Sequence, residues 1–81
     1  MDAVEMDRRI LFAVRAHWRL FERGPTHGEL GRALNIGRSR AQRAVIRLVG
    51  AGLLTRVPGR HYDLRLTLEG AKKRFRRNAA S

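Results

Sequence analysis

Cysteine is missing from the sequence, and only seven of its 81 residues are acidic. Without cysteine the chain has no disulfide bond, no thiol nucleophile and no thiolate ligand for a metal. Aromatic residues are few, at 6%, and the longest purely apolar run spans residues 10–14, far too short to cross a bilayer. The first seven residues are acidic rather than basic, which argues against a secretory signal. These absences lead us to expect a soluble cytoplasmic protein with no membrane partner.

The scarcity of acid leaves a large excess of positive charge. Sixteen arginines and two lysines give the chain a net charge of +11. The excess is uneven, because the 33 residues of 30–62 include seven arginines and no acidic residue. Such crowding of like charge is unfavourable without an anionic partner, and nucleic-acid phosphates are the expected polyanion. An anionic membrane surface is the weaker alternative.

A chain of this length makes one small domain, which we place over residues 1–81 with residues 78–81 frayed. Apolar positions at spacings of three and four predict a long first helix over residues 2–23. Its core face is expected to carry Met6, Ile10, Val14, His17 and Phe21. Gly24 is the expected left-handed cap, and Pro25 prevents the helix from continuing.

Two shorter helices are expected next. Thr26 and Glu29 have the spacing of a capping box for a second helix that reaches Leu34. Asn35 can adopt the positive φ of the following turn. The third helix is predicted over residues 38–51, and its inward residues are Ala41, Ala44, Val45 and Leu48. Gly31 interrupts the second helix, which indicates close approach by another helix.

The rest of the chain is predicted to form a β-hairpin followed by a last helix. Strands are predicted over residues 53–57 and 61–67, with a tight turn at Pro58-Gly59. Thr67 caps a final helix with Leu68, Ala71 and Phe75 at core spacing. The fold class is therefore mainly α with a small β-hairpin, in the order α1-α2-α3-β-wing-β-α4. That order is a helix-turn-helix with a wing.

Four short motifs resemble the winged helix-turn-helix family of transcription regulators, as in MarR-like proteins and the N-terminal domain of LexA-like proteins. They are P-T-H-G-E-L at 25–30, L-N-I-G-R-S at 34–39, A-G-L-L-T-R at 51–56 and L-T-L-E-G at 66–70. They resemble the family patterns P-T-x-x-E-L, L-G-I-S-x-S, x-G-L-I-x-R and L-T-x-E-G. Gly37 replaces the Ser or Thr that usually caps the third helix. The resemblance implies that this helix enters the major groove of DNA and that the protein is a homodimer.

The third helix offers the side chains that such a role requires. Ser39 and Arg43 are expected to point directly outward. Arginine can donate two hydrogen bonds to guanine, and glutamine can bond adenine. The expected base-reading residues are Arg38, Arg40, Gln42 and Arg43, and the expected phosphate contacts on this helix are Ser39 and Arg47. Alternatively, these arginines bind phosphates only and read no sequence.

Further contacts are expected outside the third helix. Thr26 and His27 lie at a helix N-terminus, where free N–H groups suit a phosphate, although Thr26 can act as a cap alone. Arg60 is the expected wing contact in a narrow A·T-rich minor groove, or else a free surface residue. Arg56 can reach a phosphate or pair with Asp63 across the hairpin. The basic cluster after Glu69 either follows the DNA backbone or only solubilises the chain end.

The first helix is apolar on more than one side. Leu11, Phe12 and Trp18 lie off the core face, and a second copy of the helix is the simplest cover for them. We therefore expect these three residues at a homodimer interface. In the alternative, Leu11 and Trp18 pack on the wing or the last helix and Phe12 stays exposed.

Catalytic patterns are missing from the sequence. The three histidines do not have the spacing of metal ligands. His17 lies on the core face, where we expect a buried ring with its hydrogen bonds satisfied within the chain. There is no P-loop and no Gly-rich phosphate fingerprint, so we expect neither an enzyme nor a bound cofactor or metal. The leading expectation is a sequence-specific regulator of double-stranded DNA, most simply a small repressor associated with the nucleoid. Nothing in the sequence identifies a small-molecule effector.

Three other functions are open. The extreme charge of so small a chain also fits an architectural or genome-handling protein, such as a recombination directionality, partition or nucleoid factor. A winged helix used only for protein contact is a second alternative, against which the acid-free block argues. RNA binding is a third, although the deep and narrow major groove of RNA does not admit a helix.

Overall fold

The computed structural model describes residues 2–56 and 64–73, which form four helices and two paired strands. The elements in order are α1 (Ala3–Phe21), α2 (His27–Leu34), α3 (Arg38–Gly50), β1 (Leu54–Arg56), β2 (Leu64–Leu66) and α4 (Leu68–Lys72). A mainly helical chain with a small antiparallel hairpin is what the sequence predicts. The expected turn at Pro58-Gly59, Phe75 and the expected frayed end lie outside the described residues. No described helix is long and apolar enough to cross a membrane.

Helix α1 begins as predicted and ends two residues early. The Asp2 carboxylate caps it by accepting the N–H of Glu5 at 2.7 Å. Its last residue is Phe21, and the left-handed cap is Glu22, with φ of 56°, rather than the expected Gly24. The cause lies in a side chain, because Nδ1 of His17 lies 2.7 Å from the carbonyl oxygen of Arg23 and turns the chain back across the helix end.

The core face of α1 differs from the prediction at its last position. Met6, Ile10 and Val14 are buried as expected. Phe21 is 58% exposed, so its assignment to the core was wrong. It is the final helical residue, and its ring packs beside that of His17, with 4.6 Å between the centroids. Leu11 takes part in the core instead.

The carboxylate of Glu29 holds the junction between α1 and α2. The predicted capping box is confirmed: the N–H of Glu29 donates to the Thr26 hydroxyl at 2.9 Å, and the N–H of Thr26 donates to Oε1 of Glu29 at 2.8 Å. The same carboxylate accepts from Arg23 at 3.2 and 3.3 Å and lies 3.4 Å from Nε2 of His17. Groups from the end of α1, the loop and the start of α2 thus meet at one side chain.

A tight turn joins α2 to α3. Asn35 has the predicted positive φ, at 57°, and the N–H of Ile36 donates to the carbonyl oxygen of Gly31 at 2.8 Å. A Cβ on Gly31 would lie 2.9 Å from the carbonyl oxygen of Ile36 and 3.5 Å from the amide nitrogen of Arg38. The close neighbour of Gly31 is therefore the turn and the first residue of α3. As expected, Gly37 gives α3 no side-chain cap.

The core lies between the three long helices and the strands. The inward residues predicted for α3 are confirmed, since Ala41, Ala44, Val45 and Leu48 are all buried. In the hairpin, Leu54 pairs with Leu66 and Arg56 pairs with Leu64. Leu54 and Leu64 point into the core and complete it from the strand side.

Trp18 connects α1 to the second strand. Its indole N–H donates to the carbonyl oxygen of Leu64 at 2.6 Å. The guanidinium of Arg65 lies over the ring, 4.8 Å from the centroid, in a cation–π contact. The hairpin is thus held to α1 by a polar contact as well as by buried leucines.

Helix α4 packs through a glycine. Thr67 caps it as predicted, accepting the N–H of Gly70 at 2.9 Å. Leu68 is 69% exposed and Ala71 is also exposed, so their assignment to the core was wrong. Gly70 is the buried residue, and a Cβ there would lie 1.9 Å from the carbonyl oxygen of Leu53. Backbone contact at Gly70 sets the position of α4.

We expect Gly70→Ala to destabilise the protein by about 1–3 kcal/mol, the usual cost of forcing extra volume into a packed site. Gly50→Ala is the matched control, because a Cβ at Gly50 meets no atom within 4 Å. Alanine there should be neutral or stabilising by about 0.5–1 kcal/mol. Urea unfolding followed by circular dichroism measures both. Equal stability of the two variants would contradict the packing of α4.

The lowered pKa of Glu29 leads us to expect that the protein loses stability in acid. Hydrogen bonds from Arg23 and then the N–H of Thr26 lower the pKa of its carboxyl from 4.5 to about 2. A group whose pKa is lower in the folded state contributes stability above its unfolded pKa. The contribution of Glu29 should therefore be complete above pH 4.5 and disappear as the pH falls towards 2.

Thermal melts between pH 6 and pH 2 test this expectation. Glu29→Gln should have a lower melting temperature than the natural chain at pH 6 and a flatter dependence on pH in the acid range. Glu69→Gln removes an exposed carboxylate in α4 and controls for the change in net charge. An unchanged slope in Glu29→Gln would mean that the junction does not depend on this carboxylate.

Candidate nucleic-acid interface

The outward face of α3 is a row of exposed side chains, of which only Ile46 is apolar. Its exposed residues are Arg38, Ser39, Arg40, Gln42, Arg43, Ile46 and Arg47. The buried face of the same helix carries only alanine, valine and leucine, so packing alone turns these polar residues to solvent. The predicted outward direction of Ser39, Gln42 and Arg43 agrees with their exposure. A surface of guanidinium, amide and hydroxyl groups can donate hydrogen bonds to anions and to base edges.

Most of these side chains have no partner within the described part of the chain. Arg38, Arg40 and Gln42 make no hydrogen bond or ion pair to residues 2–56 or 64–73. The Nε–H of Arg43 lies 3.4 Å from the carbonyl oxygen of Ser39, a weak contact along the helix itself. These donors are therefore available to an external partner.

Arg47 is the exception. Its guanidinium is hydrogen-bonded and ion-paired to the carboxylate of Asp7 in α1. Arg47 stays a predicted phosphate contact, and a phosphate must compete with Asp7 for this side chain. Asp7 was missed by the sequence reasoning, since 40 residues separate the partners and no local spacing indicates the contact.

A polar groove extends this surface towards the start of α1. It has a volume of about 280 Å³. Its lining residues are Asp2, Ala3, Met6, Arg40, Arg43, Ala44 and Arg47. The arginines of α3 thus lie beside the acidic first turns of α1. Part of the positive charge of α3 is balanced there, and Arg38, the first residue of the helix, is not among the lining residues.

His27, Arg38 and Arg56 come from three different elements, and the charges of both arginines affect the imidazole of His27. His27 opens α2, Arg38 opens α3 and Arg56 ends β1. Burial lowers the pKa of the His27 imidazole below 6.5, and the positive charges of Arg56 and Arg38 lower it further. The structure therefore places three of the predicted contact residues in one electropositive region. Thr26 adjoins them, but its hydroxyl is engaged in the capping box.

This region has the features of an anion-binding surface. The first N–H groups of α2 have no carbonyl partner within the helix and carry the positive end of its dipole. Burial and then the two cations favour the neutral form of His27, and an anion bound beside the ring would act in the opposite direction. Arg60 and Asp63 lie outside the described residues, as do Arg74, Arg76 and Arg77.

The predicted dimer residues separate into two groups. Leu11 is only 6% exposed, and Trp18 is hydrogen-bonded to β2, so both are used inside their own chain. The contact of Trp18 with β2 matches the alternative in which this residue packs on the hairpin, and the dimer interface stays a prediction. Phe12 remains exposed, at 73%. Leu20, which also lies off the predicted core face, is exposed as well, and so is Phe21.

His17 and the carboxylate of Glu29 have structural roles. The ring of His17 is satisfied as predicted, by the carbonyl oxygen of Arg23 and the carboxylate of Glu29. Within residues 2–56 and 64–73, no three histidine, aspartate or glutamate side chains are grouped as a metal site requires. The chemistry that the described surface offers is therefore hydrogen bonding and charge.

The electropositive region can be tested without any ligand. Removing the charge of Arg56 or Arg38 should raise the pKa of His27, because each cation opposes protonation of the ring. We expect Arg56→Gln and Arg38→Gln each to shift the titration of the His27 ring upward in an NMR experiment. Arg19→Gln, an exposed arginine on α1, is the control. Identical titrations in all four proteins would show that the three groups do not share one region.

Comparisons of the chain with protein-family models, curated proteins and solved structures give no match. The resemblance of four short motifs to winged helix-turn-helix regulators therefore has no independent support. Any assignment of function depends on the exposed donors of α3, the region around His27 and the distribution of charge.

Proposed function

We propose that the protein is a sequence-specific regulator that binds double-stranded DNA, acting most simply as a small repressor. In this proposal α3 enters the major groove and the hairpin is the wing of a winged helix-turn-helix domain. The observation that carries the proposal is the outward face of α3, where arginine, glutamine and serine side chains are exposed and mostly unpaired in the described chain. A nucleoid-associated location follows from the same proposal.

The dimensions of α3 support this use. Its 13 residues make a rod about 20 Å long, and the major groove of B-DNA, about 12 Å wide, admits a helix. Arg40, Gln42 and Arg43 lie in the first two turns, the part of a recognition helix that reaches base edges. Arginine is suited to guanine and glutamine to adenine. The presence of both arginine and glutamine on α3 favours a surface that reads bases over one that only attracts phosphates.

The residues near His27 would fix the position of the protein on the backbone. One DNA phosphate at the start of α2 would meet free N–H groups, the His27 ring and the guanidinium of Arg56. Contacts of this kind position a protein and carry no sequence information by themselves. Arg38, beside the same region, can serve a phosphate or a base.

Asp7 would lower the affinity of the α3 surface for DNA. Its carboxylate pairs with Arg47 on the helix proposed to face DNA. An acidic group among the recognition arginines weakens attraction to every sequence alike and leaves the base-reading donors unchanged. This effect lowers specific and non-specific affinity together, so it makes binding more readily reversible without changing the ratio of the two affinities.

The second candidate is an architectural or genome-handling protein with weak sequence preference. The observation in its favour is the net charge of +11 on 81 residues, more than base reading requires. Such a protein would bind with a steep dependence on salt and little discrimination between sequences.

Selection from a randomised duplex pool at about physiological salt separates the two. We expect enrichment of a defined sequence. Binding without enrichment would contradict the regulator and favour the architectural protein. Failure to bind any duplex at low salt would contradict both.

Single substitutions then test the assigned roles on the selected site. Arg43→Ala should cost about 1–3 kcal/mol and relax the preference at one base position. Asp7→Asn releases Arg47 and should strengthen binding to all sequences, steepening the salt dependence by about one phosphate contact. Arg19→Ala, exposed on α1, is the control for lost charge. Equal losses in Arg43→Ala and Arg19→Ala on every sequence would mean that α3 reads no bases.

A further inference from the structure

Ile46 is the one apolar side chain among the exposed residues of α3. Its exposed fraction is 55%, whereas Val49, three residues later, is partly buried and packs against the core. A β-branched residue gives an exposed helical position no advantage, because alanine, arginine and glutamine all favour the helix more. Neither the core nor helix formation therefore accounts for isoleucine at this position.

The position of Ile46 matters more than its exposure, because lone apolar side chains are common on protein surfaces. With about 100° between successive residues of a helix, Ile46 lies about 40° around the axis from Gln42 and about 60° from Arg43, between the two. Ser39, seven residues earlier, lies on nearly the same line along the helix. The four side chains thus share one face at spacings of three, four and seven residues, a spacing that base-reading residues of helices in the major groove also show.

The two arginines nearest to Ile46 leave its side chain open. Arg47 is turned to the carboxylate of Asp7 in α1, and the Nε–H of Arg43 contacts the carbonyl oxygen of Ser39. Neither contact covers the isoleucine, which stays more than half exposed. A small apolar surface therefore lies at the centre of the hydrogen-bonding groups proposed to read bases.

The major groove offers a specific partner for such a surface. Every base pair presents hydrogen-bonding atoms there, but the C5-methyl of thymine is the apolar group that the groove displays. An aliphatic side chain cannot hydrogen-bond to a base edge, so this methyl group is the feature that it can recognise. Contact between the two removes apolar surface of both from water, which favours binding.

We propose that Ile46 reads a thymine by contact with its C5-methyl group and so determines one position of the DNA sequence that α3 binds. This inference rests on the proposed function and deepens it, because it names a base and the apolar contact that selects it. Ile46 lies about 4.5 Å along the helix axis from Arg43, and successive bases of a strand are about 3.4 Å apart. The thymine is therefore expected within about two base pairs of the one whose preference depends on Arg43.

The shape of isoleucine suits this contact. Branching at Cβ leaves one strongly preferred χ1 rotamer in a helix, so the side chain loses little freedom when DNA covers it. A selection from the randomised duplex pool repeated with Ile46→Ala should lose the thymine at one position and keep the rest of the preferred sequence.

Deoxyuridine substitution tests the contact directly. In the duplex enriched by the natural chain, each thymine is replaced in turn by deoxyuridine, which removes the methyl group and keeps the hydrogen-bonding edge. At one thymine we expect the natural chain to bind about three- to tenfold more weakly, the effect of exposing about one methyl group. Ile46→Ala should bind the thymine and deoxyuridine duplexes equally, because the partner of the methyl group is gone. Fluorescence anisotropy of labelled duplexes measures both.

Val4→Ala is the matched control, because Val4 is also β-branched and 55% exposed but lies on α1. It should discriminate against deoxyuridine like the natural chain. Arg43→Ala should lose the preference at its own base pair and keep the discrimination against deoxyuridine. Ile46→Ala should melt at the same temperature as the natural chain or slightly above it, since alanine favours an exposed helix. Weaker binding would then not reflect a loss of fold.

The role of Ile46 is refuted if no single thymine responds to deoxyuridine, or if Ile46→Ala responds as strongly as the natural chain. An enriched sequence with no thymine within about two base pairs of the position that depends on Arg43 would also overturn it. If Arg43→Ala still relaxes a base preference in these cases, the regulator stands and only the thymine contact fails. Failure to enrich any sequence would instead refute the proposed function, and this inference with it.

Discussion

The carboxylate of Glu29 connects the parts of the chain whose relative positions matter most. It joins the residue that turns the chain after α1, the backbone that begins α2 and a histidine from the last turns of α1. Once α2 is placed, the tight turn at Asn35 and the contact of Gly31 with the start of α3 leave little freedom for α3. A partly buried cluster of polar and charged groups thus orients a core that is too thin to define every angle by apolar packing alone.

Arginines on opposite sides of the molecule are used in different ways. On α1 and at the loop after it, Arg8 and Arg9 share the carboxylate of Glu5, and Arg23 is paired with Glu29. On α3, acid is missing and only Arg47 has a carboxylate partner, which comes from another helix. The charge of the whole chain therefore describes neither face. One face has cations that are partly balanced by nearby carboxylates, and the other has exposed donors of which most have no carboxylate partner.

Sequence predicted those features that depend on neighbours a few residues away. The capping box at Thr26, the positive φ of Asn35 and the buried face of α3 all follow from local spacing. The predictions that were wrong depended on distant contacts. Glu22 replaces Gly24 as the cap because a histidine side chain binds the loop, and Gly70 replaces Leu68 in the packing of α4 because the backbone of Leu53 is near.

In the candidate site, too, some features follow from local sequence and others depend on contacts between distant residues. The exposure of Gln42 and Arg43 was predictable from the helical period, because the opposite face is apolar. The pairing of Arg47 with Asp7 and the grouping of His27 with Arg56 were not, since each joins elements far apart in sequence. The apolar side of α1 was recognised, but its residues could be assigned to the core or the surface only after the hairpin was placed.

The indole of Trp18 has a consequence for how the protein can be observed. It is the only tryptophan of the chain, and it is bonded to the backbone of β2 with a guanidinium over its ring. Indole emission responds to the polarity and the charges around the ring, so its intensity and wavelength report whether the hairpin is docked on α1. Any movement of the hairpin when a partner binds would change that signal in the natural chain, with no added label.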